Sequence, residues 1–345
     1  MIWRAFGEEH VNESHRNLSH KDRIGTRLTI PTMVAQDKLD KLALSPSQML
    51  RLGLSVSRFS EQRIARASFQ TNVERFKNRY GSDHVVLSKI WNDLLSTTNP
   101  AARIDKKRVR ACDFLMAVHF LRKYPSEADQ AELWDVTEKT GRLWSWYFAE
   151  KIQGLKEDKI VWPERWNDPY VDDTAGVSEI FIISVDGIHC QVNEPTHPKY
   201  PKNHKMYSHK FKKAGLNYEV AVSLWENKVV WINGPFQASA NDLNIFQSPS
   251  GLKEKIPEGR LGIADAGYRG QIGKLSLSTT LDSEEVRRFK SRAKARQESF
   301  NSRLKQFKCL DNRFRHKLLK HKVCFEAVCV ICQYQLENGY PLYDI

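Results

Sequence analysis

The sequence predicts an α/β protein in two parts, an all-helical, helix-turn-helix-like region followed by a mixed sheet with flanking helices. Three observations carry the prediction. Apolar residues follow a helical 3.6-residue stripe from about 80 to 165, then change to strand patterning from about 179. The later elements read as three strands, a helix, a strand and then helices, an antiparallel start with a crossover to a parallel strand. Two of those strands, "EIFIISVDG" and "RLGIADAGY", end on bare aspartates, Asp186 and Asp265. A carboxylate at the end of a buried strand needs a partner or a metal.

Residues 1–75 carry no clear period and are expected to form a partly disordered arm with some helix. Over 80–165 "RVRACDFLMAVHFLRKY" places Val109, Cys112, Phe114, Met116, Ala117 and Phe120 near one stripe. Ser126 fits an N-cap for "EADQAELWDV", and "RLWSWYFAEKIQGLKE" follows after a break at "TEKTG". Two helices about a short turn suit a helix-turn-helix DNA-binding region, with Lys139 and Arg142 facing DNA. An ordinary bundle with Trp134, Trp144 and Trp146 in its core fits the same pattern. Residues 166–178 read as an extended linker, and 179–345 as an α/β domain.

In that domain "EVAVSLW" and "KVVWING" are strands joined at Glu226-Asn227, and "ANDLNIF" starts a helix capped by Asn241 or Asp242. A basic helix runs from about 283 to 308, and "KVCFEAVCVICQYQLENG" is a buried helix.

Lys plus Arg outnumber Asp plus Glu by 54 to 41, giving +13. That excess points to a polyanion, nucleic acid before an acidic membrane surface. Hydrophobic residues at 41% supply a real core, and six cysteines are too sparse for a disulfide scaffold. With no apolar leader or membrane-length run, an intracellular protein is expected. "DKKRVRA" (Asp105 to Ala111) fits a nuclear localisation signal or a plain solvated face, and the expected compartment is the nucleus.

Two carboxylates at strand ends invite Mg²⁺ or a similar hard cation. Glu298, 33 residues after Asp265 on the basic helix, supplies a third acid; taken alone, it is better explained by an ion pair with Lys294. Together the three describe a site for two divalent ions, with Arg296, Arg303 and Lys305 binding neighbouring phosphates.

Six blocks in order resemble the PIF/Harbinger-type DDE transposases and the nucleases derived from them. They are "VDGIHC" (Val185 to Cys190), "YSHKFKKAGLNYEVAV" (Tyr207 to Val222), "VWINGPF" with "NDLNIF", "GIADAGYRG" (Gly262 to Gly270), "ARQESFNSRLKQFKCL" (Ala295 to Leu310) and "VICQYQLENGYPLYD" (Val330 to Asp344). The resemblance implies an RNase H-like fold with Asp186, Asp265 and Glu298 as a catalytic, metal-binding triad for two Mg²⁺ or Mn²⁺ ions. It implies DNA cleavage at transposon ends, transfer of the freed 3′-OH to target DNA, a homo-oligomer on DNA and a Myb-like accessory DNA-binding protein. Asp242 is the second-choice acid, since a helix cap explains it. Two other readings stay open, a transposase-derived DNA- or protein-binding protein that does not cleave, and an RNase H-like RNA nuclease.

"HPKYPKNHKMYSHKFKK" (His197 to Lys213) interleaves lysines with Tyr200, Tyr207 and Phe211, so Lys205, Lys210 and Lys212 are candidate DNA contacts with aromatics that could stack on bases. His189 and His197 read as structural or DNA-facing. The group His316, His321, Cys324, Cys329 and Cys332 lacks the loop-borne spacing of a zinc site and reads as core.

Overall fold

Serine, threonine and aspartate caps set most helices of the first half. The computed structural model describes residues 42–106, 108–167, 180–193, 204–249 and 251–345. α1 (Pro46–Val56) opens on a capping box in which Ser45 and Gln48 exchange side-chain and backbone bonds, with Pro46 in the first turn. Ser60, Ser68 and Asp83 cap α2 (Glu61–Arg66), α3 (Phe69–Tyr80) and α4 (His84–Ser96).

These helices are the helical part of the expected arm over 1–75. From Pro46 onward the chain is helical and buries Met49, Leu50, Leu54, Val73 and Phe76; residues 1–41 lie outside the described residues. Short helices separated by caps break the apolar period before it can be read, and that hid them.

α5 (Ala111–Lys123) is buried along most of its length. α6 (Glu127–Trp134) starts at Ser126 as expected, Asp135 turns in the left-handed region at φ 52°, and Thr137 caps α7 (Glu138–Gly154). α7 packs on both α5 and α6 and buries Tyr147, Phe148 and Ile152. α8 (Lys156–Lys159) and a single turn at Glu164–Trp166 follow; most of the expected linker lies outside the described residues.

The second half supplies β1 (Phe181–Gln191), β2 (Tyr207–Ser208), β3 (Lys213–Ser223) and β4 (Val229–Gln237), then α9 (Asp242–Phe246) and α10 (Leu252–Lys255). β5 (Leu261–Ile263), β6 (Leu275–Ser276), α11 (Glu284–Lys305), α12 (Lys308–Asp311) and α13 (Leu318–Glu337) complete it. The six strands form one mixed sheet in the order β4-β3-β1-β5-β6, with β2 on the first residues of β3. β1 and β4 flank β3 antiparallel, and β5 joins the other side of β1 parallel. The expected antiparallel start and parallel crossover are both present.

Strand alternation sends β1 side chains to two cores. Ile188 and Cys190 join Leu216, Tyr218 and Val220 of β3 on the helical side, while Ile183 and Val185 pack with Phe246, Leu252 and Tyr268 on the other. α13 lies against α7, α4 and β4, and its Phe325 stacks on Tyr218 with ring centres 3.7 Å apart. Cys324, Cys329 and Cys332 are fully buried there, as a core reading of these thiols expects. One continuous buried cluster holds Leu50, Phe114 and Phe148 of the first half together with Val220, Phe300 and Val328 of the second. The boundary read in the sequence is a change of secondary structure, and the core runs across it.

Candidate functional site

Asp186 stands in β1 two residues after Ser184, so both side chains leave the same face of the strand. That face meets α11. Ser184 Oγ donates to Gln297 Oε1 at 2.9 Å, Gln297 Nε2 bonds Asn301 Oδ1 at 3.2 Å, and Asn301 Nδ2 donates to Asp186 Oδ2 at 2.8 Å. The Gly187 N–H donates to the other Asp186 oxygen at 2.8 Å. Gln297 and Asn301 are four apart, one helical turn, and therefore reach the strand together.

Asp265 stands two residues past the end of β5. The parallel register pairs Ser184 with Ile263, which carries Asp265 alongside Asp186 two residues further on. Asp265 Oδ1 accepts from the Gly267 N–H at 2.8 Å and so caps the short turn Ala266–Tyr268.

Asp242 is the surprise. The cap of α9 is Asn241, whose Oδ1 accepts from the Asn244 N–H at 2.8 Å, so capping does not account for Asp242. Its carboxylate fits between two glycines. A Cβ on Gly187 would meet Asp242 Oδ1 at 2.3 Å, and one on Gly267 would meet Asp242 Oδ2 at 2.7 Å and Asp265 Oδ1 at 2.9 Å. Three acids from three elements therefore crowd one another. Burial, opposed by the Gly187 N–H and reinforced by the charges of Asp265 and Asp242, pushes Asp186 up to about 7. Burial and then Asp265 raise Asp242 as well, with Lys210 pulling it back.

A fourth carboxylate lies behind them. Glu219 of β3, opposite Gly187 in the register, is fully buried and held by one bond, Trp231 Nε1 to Oε2 at 3.1 Å. Burial, with the charge of Asp242 added, pushes it up to about 8. Its Oε1 and the buried Tyr268 hydroxyl have no hydrogen-bond partner among the described residues. The signal in the sequence is a single glutamate at the head of the apolar run "EVAVSLW"; β3 begins six residues earlier, at Lys213, and so places Glu219 inside the strand.

Glu298 is exposed and lines a basin of about 630 Å³ that also includes Asp186, Asn301, Arg122 and Lys308. It shares the basin with Asp186 but sits on the helix face beside the one that bonds it. Among the described residues no three Asp, Glu, His or Cys groups stand in ready ligand geometry. The donor set of the acid cluster is nonetheless all oxygen, and like charges packed this closely fit a hard divalent ion that would neutralise them.

The expected DNA contacts divide. Lys139, Lys205, Lys210 and Lys212 are exposed, whereas Arg142 is held by Glu127. Arg296 is a correction, for it is only 1% exposed. Its guanidinium donates to the carbonyls of Ser223, Glu226 and Tyr343, so it clamps the fold and cannot reach a phosphate. Arg303 donates to the Tyr340 and Pro341 carbonyls, and Lys305 to those of His189 and Leu310. With Arg292 on the Asp344 carbonyl, three arginines of α11 hold the C-terminal tail. Lys199, Lys202, Tyr200, His197 and Lys107 lie outside the described residues.

No helix among the described residues is long and apolar enough to cross a membrane. Comparison of the chain with protein-family models, with curated proteins and with solved structures finds no match.

Proposed function

We propose that the chain is a metal-dependent DNA nuclease of the DDE transposase type. The observation that carries this reading is the crowding of Asp186, Asp242 and Asp265 in a buried setting; burial first, and the two neighbouring charges after it, raise Asp186 to about 7 and leave a cluster that gains from a divalent cation. The strand order with β5 parallel to β1 supports an RNase H-like fold. Asp186, Asp242 and Asp265 would hold Mg²⁺ or Mn²⁺, with Glu298 at the rim of the adjoining basin. When bound, divalent ions supply Lewis acidity and a water of lowered pKa at the scissile phosphate.

The protein groups have separate tasks. Asn301 and the Gly187 N–H fix both oxygens of Asp186 before substrate arrives, which is preorganisation. Lys210, whose charge reaches both Asp186 and Asp242, offsets the charge of a phosphate entering beside them. The same site serves strand transfer when a 3′-OH replaces water as nucleophile. A Myb-like accessory protein and a homo-oligomer on DNA belong to this proposal. So does a nuclear location.

A reading without cleavage has one observation in its favour, namely that protein N–H groups already engage both Asp186 oxygens. Mg²⁺- or Mn²⁺-dependent nicking of supercoiled DNA separates the two. We expect nicking by the wild type, abolished by EDTA and by Asp186→Asn, Asp242→Asn or Asp265→Asn, and reduced by Glu298→Gln. Full activity of Asp242→Asn with none in Glu298→Gln would return the third ligand to α11. DNA binding with no nicking under either metal would favour the binding protein.

A further inference from the structure

A second pocket, of about 220 Å³, opens beside the acid cluster and shares Gly187 and Asp242 with it. Its wall is an aromatic platform. The rings of His189 and Phe211 stack with centres 4.5 Å apart and planes 17° from parallel. Phe211 is nonetheless 47% exposed, a large apolar ring left half in water.

The platform is held from behind. His189 Nδ1 lies 3.0 Å from Asn217 Oδ1, and Asn217 Nδ2 donates to the carbonyls of Ala240 at 3.0 Å and Ala238 at 3.3 Å. Since the amide nitrogen faces carbonyls, its oxygen accepts and the imidazole proton sits on Nδ1. Gly215 makes room for this ring, because a Cβ there would meet His189 Cε1 at 2.1 Å. Ser208 Oγ accepts the Phe211 N–H at 3.3 Å and fixes the turn that presents Phe211. An exposed ring set this firmly is preorganised for another ring.

Charge and size narrow the occupant. The Lys210 ammonium lies 5.4 Å from the Phe211 ring centre, and its charge is felt by Asp186 and Asp242. One cation therefore lies over the platform ring and within electrostatic reach of the acids, placed to meet a phosphate linked to a stacked base. The volume falls below the about 300–1,000 Å³ typical of sites for drug-sized ligands, which suits one heterocycle.

We propose that this pocket takes one unpaired nucleobase against the exposed ring of Phe211, from the nucleotide adjoining the phosphate at the acid cluster. The inference rests on the nuclease reading for its orientation, and its stacking chemistry is testable without cleavage. It implies that the strand is locally unpaired where it is cut, since a paired base presents no free face.

The test is fluorescence anisotropy in EDTA with labelled oligothymidylate and a duplex of equal length. Phe211→Ala should lower the affinity for the single strand, relative to the duplex, by about 5- to 100-fold, the loss of one stacked base. Phe211→Trp should restore it, and thermal melts of both variants guard against misfolding. An unchanged ratio in Phe211→Ala overturns the pocket. If that happens while the aspartate variants still abolish nicking, only the pocket fails. If the ratio behaves as expected but no metal supports nicking, the base site stands and the nuclease reading fails. Binding of neither strand by the wild type overturns both.

Discussion

Asp186 is followed by glycine because the Asp242 carboxylate occupies the space a side chain would need. The closest approach, 2.3 Å to Oδ1, lies well inside any real carbon–oxygen contact, so Gly187→Ala must displace Asp242. A misplacement of about 1 Å at a reacting centre costs on the order of 10²-fold. We expect nicking by Gly187→Ala to fall about 10- to 100-fold with little change in melting temperature. A wild-type rate would remove the Gly187–Asp242 contact from the site. Arg296 makes the opposite prediction, because its bonds are all internal. Arg296→Met should destabilise the fold by about 2–4 kcal/mol in urea unfolding, by stranding buried carbonyls. The salt dependence of DNA binding should not change; a slope reduced by about one would reveal a phosphate contact instead.

At the scale of elements, α11 decides which acids matter. Its buried stripe of Lys290, Ala293, Gln297, Phe300 and Leu304 docks the helix on the sheet, and Gln297 within it couples Ser184 of β1 to Asn301. Gln297→Leu should therefore lower stability by about 1–2 kcal/mol and lower kcat at least tenfold, while leaving KM for DNA unchanged. A rise in KM alone would place Gln297 in substrate binding. The existence and order of these elements were legible, since continuous apolar strands and a long basic helix leave strong patterns. Asp265, just past β5, was legible for the same reason, whereas Asp186 proves to stand mid-strand, because β1 continues to Gln191 along β3 instead of ending on the aspartate. The part played by Gln297, the neighbour of Glu298, was not. Neighbours on a helix point about 100° apart, and a charged residue draws the eye while a polar one does the bonding. Asp242 was misread for a related cause: Asn and Asp both cap helices, and only the register of the first turn shows that Asn241 does it. The arginines of α11 looked like phosphate ligands because the tail carbonyls that take them are distant in sequence.

For the molecule as a whole, the buried Glu219 ties stability to pH. It sits in the central sheet, touched by one donor and facing the acids, in a fold whose core runs from the first helices to the last. A carboxyl kept neutral up to about pH 8 in the folded state, against 4.5 ordinarily, binds a proton more tightly when folded. Its contribution is fully present below pH 4.5 and is lost as the pH rises through about 8, because the ionised form is disfavoured where burial is complete. Glu219→Gln removes the titration and keeps the shape and the bond from Trp231. The melting temperature of the variant should therefore gain on that of the wild type as the pH increases from below 4.5 to above 8, with the difference levelling off beyond. Divalent ions bound by the neighbouring aspartates would relieve part of the repulsion, so added Mg²⁺ should narrow the difference at high pH and leave it unchanged at low pH. A difference that stays constant across the whole range would mean that Glu219 is already ionised in the folded protein, and that a partner for its free oxygen holds the charge.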